Sequence, residues 1–298
     1  MLKWNWKRLS VAAGLSLTLV AAGCGSGTEE GTSGNASVGE TVDYTITGID
    51  AGAGVVKSSE KAIEEYGLED WEVKTSSGGA MTEELGNAIE DEEPIIVTGW
   101  TPHWKFAKYD LKYLEDPKGV FGDEEQIKTM VRQGVKEEKP NFHKILDQFA
   151  WTTDEMEQVM LSVSDGEDIE TAAKQWVDDN EDKVAEWTKG TEKVDGIEVE
   201  LVYVAWDSEI ASTNVIAEVL RRQGFAVKIT QVENAMMWKA VAEGEADGMV
   251  AAWLPGTHGD LYESYKDQVE DLGANLEGAK IGLVVPKYMD VTSIEDLK

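Results

Sequence analysis

One pattern is written twice along this chain, and it limits the fold more than any other feature. YTITGIDAGAGVVKSSEKAIEEYG begins at Tyr44, and VYVAWDSEIASTNVIAEVLRRQG begins at Val202. Each reads as an apolar strand, a loop, an amphipathic helix and a closing glycine. Ala62, Ile63 and Tyr66 share a face of the first helix, which Gly67 ends; Val215, Ile216, Val219 and Leu220 share a face of the second, which Gly224 ends. Ser58 or Ser59 is the expected cap of the first helix, and Ser212 or Thr213 that of the second. Matching the glycines sets an offset of 157, which pairs Asp50 with Asp207 and Ile49 with Trp206. The offset falls to 155 at Met81 and Met236 and to 153 at Trp100 and Trp253, as loop deletions would cause. Both of those tryptophans open a W-x-P triplet that follows an apolar run, PIIVTG or GMVAA. Two strand–helix–strand–helix–strand units predict an α/β fold of two lobes, each a mainly parallel sheet flanked by helices.

Two such lobes enclose a cleft lined by the loops at the C-terminal ends of their strands. Trp100, Trp206 and Trp253 all fall at such ends. Residues 123–190 read as helices, with Trp151, Trp176 and Trp187 as core; Trp71 and Trp238 read as core too. The final AKIGLVVPKYMDVTSIEDLK holds one more apolar strand and a helix start. The expected division is residues 41–122 with 283–298 for lobe 1 and 123–282 for lobe 2.

The N-terminus is a different text. Lys3, Lys7 and Arg8 precede SVAAGLSLTLVAAG, and Cys24 follows. A basic start, a short apolar stretch and small residues describe a secretory signal over residues 1–23. Cys24, the only cysteine, excludes a disulfide framework and a thiolate metal site. Its flanks resemble a bacterial lipobox, which implies a lipid anchor on Cys24. Residues 24–40 are rich in Gly, Ser, Thr and Glu and read as a flexible tether. The expected location is therefore the outer face of a membrane, with Cys24 as the sole attachment.

Fifty-eight acidic residues against 27 basic give a formal net charge of −31, which excludes nucleic acid as a natural partner. The chain contains no G-x-S-x-G elbow, P-loop, dinucleotide fingerprint or H-E-x-x-H motif. Its three histidines, His103, His143 and His258, lack metal-ligand spacing. No enzyme activity, cofactor or metal is expected.

An indole face attracts a cation without offering a hydrogen bond, which suits a quaternary ammonium. The loop DAGAGVV runs into a helix start, so it is either a plain turn or a cradle where the Gly54 and Val55 amides meet a carboxylate. His258 reads either as a surface histidine or as an added donor.

Taken together, GIDAGAG, TGWTPHW, VAWDSEIAS, WLPGTH and GLVVPKYM resemble the glycine betaine-binding lipoproteins of osmoprotectant ABC transporters, from Tyr44 to the C-terminus. The resemblance implies a type II periplasmic-binding-protein fold in a circularly permuted order, with ligand held between the lobes and delivered to a permease. It also implies that Trp100, Trp206 and Trp253 box a trimethylammonium group, while Gly54, Val55 and His258 hold its carboxylate. Ala51 and Ala53 stand where relatives can carry proline or serine. The rival reading is a carbohydrate-binding or carbohydrate-active lipoprotein with tryptophan stacking platforms. It needs polar side chains beside the rings, and the motif loops offer mainly Asp207, Glu209 and His258.

Overall fold

The computed structural model describes residues 37–298. The expected signal segment, Cys24 and the tether up to residue 36 lie outside the described residues. The last tether residues do not behave as expected, because Val38–Thr41 forms a short helix, α1. Ser37 and Glu40 close a capping box, and Val38 packs on the core.

The first repeat comprises β1 (Thr45–Gly48), α2 (Gly54–Tyr66), β2 (Glu72–Thr75), α3 (Gly78–Glu90) and β3 (Val97–Thr101). A short α4 (Lys105–Lys108) and β4 (Leu111–Tyr113) follow. Next come β5 (Glu125–Arg132) and the helices α5 (Val135–Glu138), α6 (Pro140–Gln148), α7 (Thr153–Ser164), α8 (Ile169–Asp179) and α9 (Glu181–Trp187). The second repeat is β6 (Glu198–Tyr203), α10 (Asp207–Arg222), β7 (Ala226–Gln231), α11 (Asn234–Ala242) and β8 (Gly248–Leu254). The chain ends with α12 (Gly259–Tyr265), the long β9 (Val269–Pro286) and a 3-10 turn, Ile294–Leu297.

Both repeats build the same parallel sheet. β1 lies between β2 and β3, and β6 lies between β7 and β8. The full strand order is β2-β1-β3-β9-β5-β8-β6-β7, with β4 also on β9. The antiparallel β9 and β5 therefore join the two units. β9 pairs with β5 as far as Ala279 and with β3 from Lys280 onward, so one continuous strand serves both halves. This arrangement is the expected α/β fold, a largely parallel sheet at each end flanked by helices.

Three expectations need correction. Residues 125–132 are not helical: EQIKTMVR inserts as β5 between β8 and β9, with Glu125, Ile127, Thr129, Met130 and Val131 buried. The helix caps also lie earlier than the serines suggested. α2 is capped by Ala53 and α10 by Trp206, while the Ser59 hydroxyl donates to the Val55 carbonyl inside its helix. Serine reads as a cap by propensity, but here the strand-to-helix loops are only a few residues long and the helices begin at once. The predicted stops are in place, with Gly67 and Gly224 at positive φ.

Trp151, Trp176 and Trp187 are buried core, Trp176 stacked on Trp187 at 5.6 Å and edge-on to Trp151 at 5.6 Å. In the other half the Trp71 indole donates to the Leu297 carbonyl at 3.2 Å, tying the C-terminal turn to the first repeat.

Candidate functional site

The three strand ends named by the sequence converge. Trp100 closes β3, Trp253 closes β8, and Trp206 stands between β6 and α10. All three line one small cavity, with Ile49, Ala53, Gly54, Val55, Ser208, Thr257 and Ile281 completing its wall. No charged side chain is among them. Each ring is only 3–6% exposed: Trp253 3%, Trp100 5%, Trp206 6%.

Each indole is held differently. The Trp206 N–H donates to Asp50 Oδ2 at 3.0 Å, from the second repeat to the first. Trp253 is fixed by its backbone: its N–H donates to His258 Nδ1 at 3.1 Å, and its carbonyl accepts from the His258 N–H at 2.9 Å. The intervening turn is braced by Glu125 Oε1, which accepts from the Gly256 and Thr257 amides, each at 2.6 Å. Trp100 meets the His103 ring edge-on at 4.5 Å, and the Lys105 ammonium lies 4.1 Å from its ring centre. Both W-x-P triplets contain a cis peptide, Thr101–Pro102 and Leu254–Pro255.

Opposite the rings, α2 points its N-terminus into the cavity wall. Ala53 makes no side-chain capping bond, so the first amides of the helix, Gly54 and Val55 among them, have no intrahelical acceptor. Gly54 is required sterically: a Cβ there would lie 2.6 Å from the Thr257 carbonyl oxygen across the cavity. His258 is not itself a wall residue. It is buried beside Trp206, its ring stacked at 6.1 Å and tilted by 23°. Because Nδ1 accepts from Trp253, the imidazole carries its proton on Nε2, and that buried donor has no partner among the described residues. Burial, aided by the Lys57 charge, holds the His258 pKa down to about 3, so the ring is neutral.

The polar side chains that a sugar site needs are spent elsewhere. Asp207 Oδ2 lies 3.2 Å from His103 Nε2, though out of line for a good hydrogen bond. Glu209 is fully buried and accepts from the Val204 amide at 3.3 Å. Burial pushes its carboxyl well above the ordinary range, against the Val204 and Trp253 N–H groups. His143 is remote and sits 3.1 Å from Glu270. Sequence reasoning missed Asp50, Glu125, Lys105 and Ser208. Acidic residues are too common in this chain to stand out, and a lysine beside an indole carries no signal until the loop is folded.

An apolar cavity with aromatic faces on one side and free amides on the other defines a small-molecule binding protein built for a dipolar ligand. Residues 31–179 and 197–298 match the family described as the substrate binding domain of ABC-type glycine betaine transport systems. The chain belongs to that family, whose members bind and hand over a solute rather than transform it. It is similar to the glycine betaine/carnitine transport binding protein GbuC of Listeria monocytogenes, at 58% identity over 264 residues, 88% of each chain. Among solved structures it resembles lactococcal OpuAC complexed with glycine betaine, at 46% identity and a TM-score of 0.46, over 51% of this chain and 62% of that one. It also resembles ProX of Borrelia burgdorferi, at 28% identity and a TM-score of 0.46, over 51% of this chain and 58% of that one. These alignments span less than two thirds of the solved chains.

Proposed function

We propose that the protein captures glycine betaine, or a related quaternary ammonium solute, outside the cytoplasm and delivers it to an ABC transporter permease. The observation that carries this reading is the pairing of three indoles in an uncharged cavity with unpartnered donors at its other end. A trimethylammonium group has no N–H to satisfy and gains about 0.5–2 kcal/mol per ring once desolvated. The Gly54 and Val55 amides and His258 Nε2 supply the donors for a carboxylate. The relative's name adds carnitine, which offers the same two ends with a longer spacing. The two lobes are proposed as residues 41–122 with 283–298 and residues 123–282, and attachment to the membrane as lipidation of Cys24.

Isothermal titration with glycine betaine, carnitine, dimethylglycine and glycine tests the ligand. Affinity should fall steeply from glycine betaine through dimethylglycine to glycine, because buried ammonium N–H groups lose water and gain nothing from indole. Leucine at position 100, 206 or 253 keeps apolar bulk without the π face, and each should weaken binding. Glycine bound as tightly as glycine betaine, or three normal leucine variants, would refute the reading. For the anchor, Cys24→Ser should leave the protein unprocessed or released, and retained processing with membrane attachment would refute it.

A further inference from the structure

Lys105 is the one fully buried lysine among the described residues, and the binding scheme does not use it. Its side chain is 0% exposed, its Nζ has no hydrogen-bond partner among the described residues, and it lies 4.1 Å from the Trp100 ring centre and 5.3 Å from that of Phe106. It is absent from the cavity wall, whereas Trp100 is part of it. The ammonium thus lies over the Trp100 ring without being part of the cavity wall. One indole cannot serve two cations at full strength: a charge over the ring draws on its π density and repels a second cation directly.

We propose that Lys105 is an affinity-determining residue that sets how strongly Trp100 attracts the bound cation, with tight binding when its amine is neutral and weaker binding when it is charged. The inference rests on the quaternary ammonium reading given above. The surroundings make both states accessible. Burial drives the Lys105 pKa down to about 7, while Asp207 from α10 and Glu157 from α7 work in the other direction. On its own loop, His103 accepts the Lys105 amide N–H on Nδ1 at 3.1 Å and is itself held at about 4, chiefly by burial. Burial raises the Glu157 carboxyl, whose Oε1 accepts from the His103 amide at 3.2 Å. Lys105 is thus the cation in this cluster placed to change charge between pH 6 and 8.5, and variants at position 105 separate its titration from that of Glu157. A betaine does not titrate there, and neither does His258, which stays neutral.

The test is titration calorimetry of glycine betaine on wild type, Lys105→Met and Lys105→Gln at pH 6.0, 7.0 and 8.5, with circular dichroism to confirm folding. Wild-type Kd should rise about five- to tenfold from pH 8.5 to 6.0, with protons released on binding at pH 7 in buffers of different ionisation enthalpy. Both variants should bind with a Kd that is flat across this range and should release no protons. A wild-type Kd independent of pH overturns the proposal, as does a pH dependence that survives in both variants. Failure of wild type to bind glycine betaine at any pH instead removes the functional reading, and this inference with it.

Discussion

Asp50 and Trp206, 156 residues apart, are joined by a 3.0 Å hydrogen bond that crosses from the first repeat to the second. The repeat-equivalent of Asp50 is Asp207, which reaches back across the same boundary toward His103. One cavity ring is thus held in place by the opposite half of the molecule. Asp50→Ala should lose a charge-assisted bond worth about 1.5–3 kcal/mol when formed. Ligand affinity should drop by roughly tenfold or more, with little change in the melting temperature of the free protein. Normal affinity in this variant would mean that Trp206 does not depend on the bond.

Gly54→Ala tests the close approach across the cavity. Its Cβ would press on the Thr257 carbonyl and Cα, at 2.6 and 2.8 Å, and backbone cannot rotate aside as a side chain can. Calorimetry should show affinity lowered at least tenfold, while helix propensity alone would leave α2 slightly more stable. Wild-type affinity in Gly54→Ala would show that the two walls need not come this close.

Acid should destabilise the protein through two buried histidines. Both have folded pKa values depressed below the ordinary 6.5, His103 to about 4 and His258 to about 3. Their neutral burial is fully favourable above pH 6.5 and is lost progressively as the pH falls toward those values, because the unfolded chain takes up the protons first. At pH 5 the loss is on the order of 2 kcal/mol per histidine. Glu209, whose carboxyl burial raises, works in the opposite sense, so the comparison must be with a variant. The double variant His103→Asn, His258→Asn should gain in melting temperature relative to wild type on moving from pH 7.5 to 5. An unchanged gap between the two would rule this out.

Salt should stabilise the protein. A formal charge of −31 implies strong self-repulsion, and the Debye length shrinks from about 10 Å to about 3 Å between 0.1 M and 1 M salt. Exposed ion pairs such as Lys266 with Glu263 and Lys287 with Asp110 lose little by comparison. The melting temperature should climb across that range of sodium chloride. A flat or falling trend would show that local pairing outweighs net charge.

Much of the architecture was legible before the structure because local patterns encode it. Apolar spacing, Gly67 and Gly224 located the repeat helices, and the W-x-P triplets located strand ends, since both depend on neighbours close in sequence. β5 was misread because its eight residues sit beside a long helical run, and only pairing with β8 and β9 from the far end of the chain makes EQIKTMVR a strand. The serine caps failed for a related reason, as loop length outranked propensity.

The sequence by itself determined the two-fold α/β plan, the acidic surface and the three indoles at strand ends, all of them properties of composition and short-range periodicity. Only the tertiary structure decided what surrounds those indoles. Asp50 under Trp206 and Thr257 against Gly54 are meetings of residues brought together by β9 and β5 joining the two sheets, while the folding of one short loop sets Lys105 over Trp100. Burial then decided which groups carry charge. It keeps His258 neutral, raises the Glu209 carboxyl and brings Lys105 close to neutrality, because desolvation is a property of the packed interior and of no residue alone.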